Sequence, residues 1–137
     1  MKESAARRIE VFFYGLFMDE ALLREKGIRP ENARTAFVEN FALVIGERAT
    51  LWPGAGRTTH GMLFSLTHAE VDALYSQASV SMYRPEAVLA HLPDGSTVPA
   101  LCFNLPTPPR PEERNPQYAA KLKDLARRIG LPEESEQ

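Results

Sequence analysis

The sequence has a single cysteine, Cys102, among its 137 residues. A framework of disulfide bonds is therefore excluded, and a reducing compartment is expected. Because Cys102 stands between apolar neighbours, in Ala100-Leu101-Cys102-Phe103, it is typical of a small buried hydrophobe rather than of a nucleophile or a metal ligand. We accordingly predict a cytoplasmic protein.

Long apolar runs and blocks of like charge are also missing. No stretch approaches the about 20 apolar residues that a membrane-spanning helix needs, so we expect no membrane partner. With 16 Lys and Arg against 18 Asp and Glu, the charge balance does not favour a nucleic-acid partner. His91 alternates with apolar residues and has no second His or Cys at metal-ligand spacing, so neither a metal nor a cofactor is predicted. A small-molecule ligand is the expected partner, and the sequence leaves the oligomeric state open.

The patterns that are present indicate one α+β domain. We expect a lead-in over 1–8, a single domain over 9–132 and an acidic tail over 133–137. Strands, helices and a hairpin follow one another without regular βαβ alternation. The predicted fold is a mixed, strongly curved or barrel-like sheet with flanking helices. The predicted elements are strands at 9–14, 35–46 and 61–66, a hairpin at 82–92 and 97–105, and helices starting at Asp19, after Thr67 and after Asn115.

Three local features carry predictions of their own. The stretch from Glu47 to His60, with Pro53, Gly54 and Gly56, is typical of a surface loop that could border a pocket. Glu39-Asn40 predicts a bend or bulge inside the second strand. Pro85 and Pro99 predict bulges in the hairpin or a position towards a sheet edge.

The stretch Phe12 to Met18 organises the rest of the chain. An apolar strand ends at Gly15 and a helical pattern begins four residues later. Such a connection leaves main-chain N–H groups without ladder or helix partners, and these groups commonly bind an anion or a carboxylate. The alternative is a tight connection in which Gly15 only relieves strain. If the protein holds a ligand, we expect it in a cleft between the end of the first strand and the hairpin.

In its motifs the chain resembles the γ-glutamylcyclotransferase-like family, which includes AIG2-like proteins and γ-glutamylamine cyclotransferases. The likeness spans residues 9 to 132. The pieces that carry it, in order, are Phe13-Tyr14-Gly15-Leu16-Phe17-Met18, Phe41-Ala42-Leu43 with Trp52-Pro53-Gly54-Ala55-Gly56, Gly61-Met62-Leu63-Phe64-Ser65-Leu66 with Met82-Tyr83, and Asn115-Pro116-Gln117-Tyr118 with Gly130-Leu131-Pro132.

This resemblance implies a barrel-centred fold and a metal-free reaction in which the α-amino group of a γ-glutamyl compound attacks its own γ-carbonyl and leaves 5-oxoproline. It implies that a glutamate near the end of the middle helix shuttles the proton. It also implies that the Tyr-Gly loop and the nearby tyrosine bind the substrate. In this sequence those residues are Tyr14, Gly15, Leu16, Phe17, Met18 and Tyr83.

The sequence departs from the family pattern at the acid. No Asp, Glu or His lies between Leu74 and Tyr83, and Leu16 replaces the serine of the family loop. Glu86 is the leading candidate for a relocated acid, followed by Glu39 and Glu47, although strand alternation places Glu86 on the opposite face from Tyr83 unless Pro85 introduces a bulge. We therefore expect a family member that binds a small γ-glutamyl or carboxylate-bearing ligand without the usual acid. The alternatives are an active cyclotransferase using Glu86, and a protein-interaction module using the proline-rich segment 106–111.

Overall fold

A computed structural model describes residues 7–132 of the chain. It contains five strands, three α-helices and one 3₁₀ turn. In chain order these are β1 (Arg8–Phe13), the 3₁₀ turn (Leu16–Met18), α1 (Glu20–Glu25), β2 (Glu31–Ile45), β3 (Ala49–Thr67), α2 (His68–Tyr75), β4 (Arg84–His91), β5 (Thr97–Asn104) and α3 (Pro116–Arg128). The predicted tail over 133–137 and most of the predicted lead-in lie outside the described residues. Arg8, which we placed in the lead-in, belongs instead to β1.

The five strands close into a barrel in the order β1-β3-β2-β4-β5. Neighbouring strands run antiparallel except for β1 and β5, which close the barrel in parallel at Val11 and Leu101. The predicted α+β fold with a barrel-like mixed sheet and flanking helices is confirmed.

Strand alternation divides the apolar residues into two cores. Phe12 of β1 and Tyr14 just after it lie in the barrel interior, whereas Val11 and Phe13 lie on the outer face under the helices. Successive side chains of a strand point to opposite faces, so one short strand serves both cores. The end of β1 is thereby fixed from two sides, and this positions the turn that follows it.

The helices begin at the residues that the sequence predicts. Asp19 caps α1, Thr67 and Glu70 form a capping box at α2, and Asn115 caps α3 with Pro116 at its first position. Gly27 ends the α1 region with a φ of +84°, a conformation that favours glycine.

The prediction of a surface loop from Glu47 to His60 is wrong. β3 runs from Ala49 to Thr67, and Pro53 is paired with Phe41 of β2. The turn-forming residues are absorbed in a bulge, because the register shifts between Glu39 and Phe41. Asn40 adopts a φ of 68° there, and its side-chain oxygen accepts a hydrogen bond from the Gly56 N–H. The bulge predicted at Glu39-Asn40 is thus confirmed, and it explains why a glycine-rich segment can remain in the sheet.

The hairpin of β4 and β5 is regular. Pairs run without a register shift from Arg84 with Asn104 to His91 with Thr97, so the predicted bulges are not found. Pairing of β4 with β2 is confined to Phe37 and His91. At Pro85, one edge of β4 therefore lies outside the pairing with β2, and a residue without a main-chain N–H is tolerated there.

Candidate functional site

A hollow of about 340 Å³ lies beside the turn that follows β1, at the end of the barrel. We call it the loop hollow. It lies between the end of β1, the turn after β2, the segment after α2 and the start of α3. The sequence predicts a cleft between the end of the first strand and the hairpin, and the hollow lies at that strand end and meets the hairpin at Phe103. Its lining residues are Phe12, Phe13, Tyr14, Gly15, Leu16, Phe17, Leu22, Lys26, Glu47, Arg48, Ala49, Tyr75, Ser79, Val80, Tyr83, Phe103 and Tyr118.

Aromatic rings form one continuous wall of the loop hollow. Tyr75 stacks on Phe103 with ring centroids 4.0 Å apart, and Phe17 meets Tyr75 edge to face at 6.1 Å. Phe13 in turn meets Phe17 edge to face at 6.0 Å. Rings in these offset and T-shaped arrangements hold one another in place. The wall is therefore rigid and apolar.

The hydroxyl groups of the tyrosines differ in whether they have a partner. Tyr14 donates to the Phe103 carbonyl at 2.6 Å, and Tyr83 donates to the Ala49 carbonyl. The Tyr75 hydroxyl has no hydrogen-bond partner within residues 7–132. Burial raises the pKa of Tyr75 far above its ordinary value and raises that of Tyr83 to about 12. All three phenols are consequently neutral at physiological pH.

The turn after β1 provides main-chain donors. The Met18 and Asp19 N–H groups close the 3₁₀ turn on the Gly15 and Leu16 carbonyls. The N–H groups of Leu16 and Phe17 precede those bonds and have no partner within the turn, and Gly15 supplies no side-chain cap. These donors border the loop hollow.

Tyr118 of α3 lies directly against this turn. A Cβ at Gly15 would come within 2.6 Å of the Tyr118 hydroxyl oxygen, so glycine is required for this close approach. Burial raises the pKa of Tyr118, and a hydrogen bond from the Leu16 N–H partly offsets that effect. Tyr118 thus covers one of the main-chain donors, while the hollow beside the turn stays open.

Charged residues are confined to the rim. Lys26 donates to the Gln77 side chain at 3.1 Å, and Arg48 donates to the Ser79 carbonyl at 3.3 Å. Glu47 also borders the hollow, next to Arg48. The rim therefore presents two cations and one carboxylate around an apolar interior.

The main chain of Glu47 is held by two side chains of the segment before α3. Its N–H donates to Glu113 at 2.9 Å and its carbonyl accepts from Asn115 at 3.0 Å. The proline-rich segment packs against the same turn, since a Cβ at Gly46 would come within 2.4 Å of Pro109. This segment thus holds the β2–β3 turn beside the hollow.

The structure brings together most, but not all, of the residues that the sequence predicts for the site. Tyr14, Gly15, Leu16, Phe17 and Tyr83 all line the loop hollow. Met18 is buried and borders instead a second hollow of about 430 Å³ between α3 and strands β2 and β3.

The two other candidate acids lie outside the lining of the loop hollow. Glu86 is exposed and accepts a hydrogen bond from Asn104 at 2.7 Å. Because no bulge precedes it, Glu86 shares a strand face with Val88 and lies on the opposite face from Tyr83, as strand alternation predicts. Glu39 lies 3.7 Å from His91. Glu47 is the candidate acid that borders the hollow.

Two important lining residues were not singled out from the sequence. Tyr75 and Tyr118 belong to the apolar stripes of α2 and α3, and such stripes are ordinarily core contacts. The only signal available was the residue type, because tyrosine combines an apolar ring with a hydroxyl that needs a partner.

Cys102 is fully buried, and burial raises the pKa of its thiol to about 12. It is therefore unreactive at neutral pH, as its sequence context predicts.

Within residues 7–132, no cluster of three or more His, Cys, Asp or Glu could hold a metal ion. In the same part of the chain, none of the helices combines the length and apolar character that crossing a membrane requires.

Comparison with known proteins agrees with the fold. Residues 11–123 match the model of the family described as gamma-glutamyl cyclotransferase, AIG2-like. The chain belongs to this family. A search of curated proteins found no match.

Solved structures with the same fold share little sequence with this chain. One titled gamma-glutamyl cyclotransferase is 19% identical, with a TM-score of 0.76 over 92% of this chain and 82% of the other. An uncharacterized protein from Homo sapiens gives 19% identity and a TM-score of 0.75 over the same shares, 92% and 82%. An AIG2-like protein from Mus musculus gives 16% identity and a TM-score of 0.60 over 96% of this chain and 88% of its own. At these identities the structural likeness concerns the fold.

Proposed function

We propose that this protein binds a small γ-glutamyl or other carboxylate-bearing ligand in the loop hollow, without the helix-end glutamate that the family resemblance implies. The observation that carries the proposal is the open hollow beside the main-chain N–H groups of the turn after β1, of which the Leu16 N–H meets only the Tyr118 hydroxyl within residues 7–132 and the Phe17 N–H has no partner within the turn. Such groups bind a carboxylate or a polarised carbonyl oxygen without any charged side chain.

The surroundings of the turn support this choice of ligand. Arg48 and Lys26 border the same hollow and give it a positive rim. A carboxylate in the hollow would lie near these cations and near the main-chain donors of the turn, because all of these residues border it. The stretch between Leu74 and Tyr83 contributes no acid, so binding rather than proton transfer is the primary expectation.

A pair of substitutions at Leu16 tests the role of the main-chain donors. Leu16→Pro removes the Leu16 N–H, which meets the Tyr118 hydroxyl in the free protein and which a bound carboxylate would share. Proline is tolerated at this first position of the turn, and Gly15 already has the extended backbone that precedes proline. Leu16→Ala removes the same side chain and keeps the N–H. We expect calorimetry with 5-oxoproline and γ-glutamylglycine to show binding to Leu16→Ala and at least about tenfold weaker binding to Leu16→Pro.

Two outcomes would contradict the proposal. If neither probe binds the unmodified protein, the ligand-binding function fails. If both variants bind as tightly as each other, the Leu16 N–H is not a binding group and the proposed role of the main-chain donors loses its support.

A second candidate function is an active γ-glutamylcyclotransferase, and the observation that favours it is that Glu47 borders the hollow. In this reaction the α-amino nitrogen forms a bond to the γ-carbonyl carbon and the bond from that carbon to the leaving nitrogen breaks. The attacking ammonium loses a proton and the leaving amine gains one, so a single carboxylate that accepts and returns the proton balances the reaction. Holding the chain folded would supply much of the rate, since ring closure is intramolecular.

Product formation distinguishes the candidate acids. We would measure 5-oxoproline release from γ-glutamyl compounds by the unmodified protein, Glu47→Gln and Glu86→Gln. Loss of turnover in Glu47→Gln alone would assign the proton transfer to Glu47, and loss in Glu86→Gln alone would assign it to Glu86. An absence of turnover in the unmodified protein would leave the binding function and remove the enzymatic one for these substrates.

A further inference from the structure

The second hollow, of about 430 Å³, lies between α3 and strands β2 and β3. We call it the α3 hollow. Of the described residues, Tyr14 alone lines both hollows, and its hydroxyl already donates to the Phe103 carbonyl at 2.6 Å. Sites for small molecules commonly enclose about 300 to 1,000 Å³. The α3 hollow is therefore large enough to hold a ligand of its own.

The walls of the α3 hollow are apolar. Strand β2 contributes the half-buried Leu43 and Ile45, and α3 contributes Ala126 from the other side. The chain turns back at the end of α3, where Gly130 has a φ of +83° and the Leu131 N–H donates to the Ala126 carbonyl at 2.9 Å. This turn brings Leu131 into the lining. Such walls favour an apolar ligand body, because binding removes its surface from water.

The charges that border the α3 hollow are of one sign. Lys123 and Arg127 of α3 line it together with His60 of β3, and none of the described lining residues is Asp or Glu. The loop hollow differs, because Glu47 stands next to Arg48 in its lining. The α3 hollow therefore favours an anionic group over a cationic one.

Both cations of α3 are available to a ligand. Lys123 belongs to none of the ion pairs found within residues 7–132. Arg127 donates to Asp124 at 3.2 Å, but its side chain is 62% exposed, and exposed pairs of this kind add little to stability. Asp124 also accepts from Arg128 at 3.0 Å. Arg127 can therefore turn to a bound anion while Asp124 keeps a partner.

The residues that follow Pro132 in the sequence match only the cations. They read Glu-Glu-Ser-Glu-Gln over 133–137, with carboxylates but without an apolar side chain for the walls. A ligand that suits both parts of the α3 hollow combines an apolar body and an anionic end in one molecule.

We propose that the α3 hollow is a binding site for a free alkyl carboxylate, with its chain between β2 and α3 and its carboxylate at Lys123 and Arg127. An alkyl chain is favoured over an aromatic body because the apolar lining is aliphatic apart from Tyr14. The inference concerns a different hollow from the proposed function and is independent of it.

Titrations of the isotope-labelled full chain, followed by nuclear magnetic resonance, test the inference with octanoate, hexanoate and octan-1-ol. We expect octanoate to shift amide signals around residues 43–45 and 123–131. It should bind about tenfold more tightly than hexanoate, which has two methylene groups fewer to bury. Octan-1-ol, which has the same chain length without the charge, should bind about fivefold more weakly than octanoate.

Variants of α3 separate the two parts of the site. Lys123→Met combined with Arg127→Met should weaken octanoate about tenfold and leave octan-1-ol unchanged, because methionine keeps an apolar stem. Lys121→Met is the matched control, since Lys121 lines neither hollow, and it should change the affinity by less than about twofold. Ala126→Phe would fill the hollow and should abolish octanoate binding. If a melting curve shows that Ala126→Phe is destabilised, the methionine variants carry the test.

Several results would overturn the inference. These are no binding of octanoate, signal shifts around the loop hollow instead, equal affinities for octanoate and hexanoate, and an equal effect of Lys121→Met. If octanoate binds only to a variant that carries Glu133→Gln, Glu134→Gln and Glu136→Gln, the carboxylates of the chain itself hold the cations and the inference also fails. None of these results bears on the binding of γ-glutamyl probes in the loop hollow.

Discussion

At the end of the barrel where β1 begins, charged side chains lie in pairs, whereas at the end where β1 stops, polar groups border an open hollow. Arg8 pairs with Glu31 and Glu70, at 3.3 and 3.7 Å. Arg34 pairs with Glu10. We call this the paired end.

The hollow end has the opposite character. There the main-chain donors after Gly15 and the half-buried Tyr75 hydroxyl lie among apolar rings, and within residues 7–132 the Tyr75 hydroxyl has no partner. Polar groups that are shielded from water without partners lower the stability of the folded state. The comparison indicates that the paired end stabilises the barrel and that the hollow end leaves polar groups open at some cost in stability.

The largest effect is expected where β3 presses against the end of β1. A Cβ at Gly61 would come within 2.2 Å of the Phe13 carbonyl oxygen, so Gly61→Ala must displace the main chain that leads into the hollow. We expect the free energy of unfolding to fall by about 3 kcal/mol, measured by urea denaturation.

Gly54→Ala on the same strand is the matched control. Its added Cβ would meet chiefly the flexible Arg57 side chain, at 3.1 Å, and the change in stability should be within about 0.5 kcal/mol. Similar losses in the two variants would show that the close approach of β1 and β3 is not what fixes the end of β1.

The next largest effect tests the paired end itself. Arg34→Met removes the partner of Glu10, and both side chains are largely shielded, with exposures of 22% and 28%. We expect a loss of about 2 kcal/mol, because a shielded carboxylate is left, among the described residues, with only the Ser65 hydroxyl as a partner.

Arg24→Met breaks an ion pair of similar chemistry on the surface of α1, where the two side chains are 54% and 44% exposed. It should cost no more than about 0.5 kcal/mol. If Arg34→Met costs as little as Arg24→Met, the pairs at this end do not stabilise the barrel and the contrast between the ends is lost.

A third test compares two tyrosines of the hollow end. Tyr14→Phe removes a buried hydroxyl that donates to the Phe103 carbonyl at 2.6 Å, so we expect a loss of about 1.5 kcal/mol. Tyr75→Phe removes a hydroxyl without a partner in residues 7–132, so its stability should stay the same or rise slightly. Thermal and urea unfolding of both variants measure the difference, and a clear loss in Tyr75→Phe would mean that its hydroxyl is already satisfied.

Much of the fold followed from local sequence signals. The caps at Asp19, Thr67 and Asn115 act through side-chain bonds to nearby main chain, so their outcome depends on few residues. The course of β3 through Pro53 and Gly54 could not be predicted in this way. There the pairing with β2 and the bulge at Asn40 override the turn preference of the segment.

The candidate site likewise combines features that the local sequence predicts with contacts that depend on the closed barrel. The turn after β1 was identified because a strand, a glycine and a helix start follow one another in sequence. Tyr75, Arg48 and Tyr118 reach the hollow from α2, the β2–β3 turn and α3, and their meeting depends on how the barrel closes. The absence of acids between Leu74 and Tyr83 was readable from the sequence, but the position of Glu47 at the rim required the structure.

The smallest expected effect is a loss of folding stability at alkaline pH, and it arises in the barrel interior beside the hollow end. Cys102, in the barrel interior next to Phe103, has a pKa raised by burial from 9.0 to about 12. The unfolded chain therefore releases this proton first as the pH rises. The stabilisation that comes from keeping the Cys102 thiol neutral is complete below pH 9 and is lost between about pH 9 and 12. Between pH 7 and 9.5 the free energy of unfolding should fall by roughly 1 kcal/mol through this group.

Cys102→Ala lacks this thiol, so its stability should decline less steeply between pH 7 and 9.5 even if its value at pH 7 is lower. Tyr83, with a pKa raised to about 12, contributes only at higher pH, because an ordinary tyrosine ionises near 10. Urea unfolding of both proteins at several pH values measures the two slopes, and parallel slopes would show that the barrel interior beside the hollow does not hold the thiol in its neutral form.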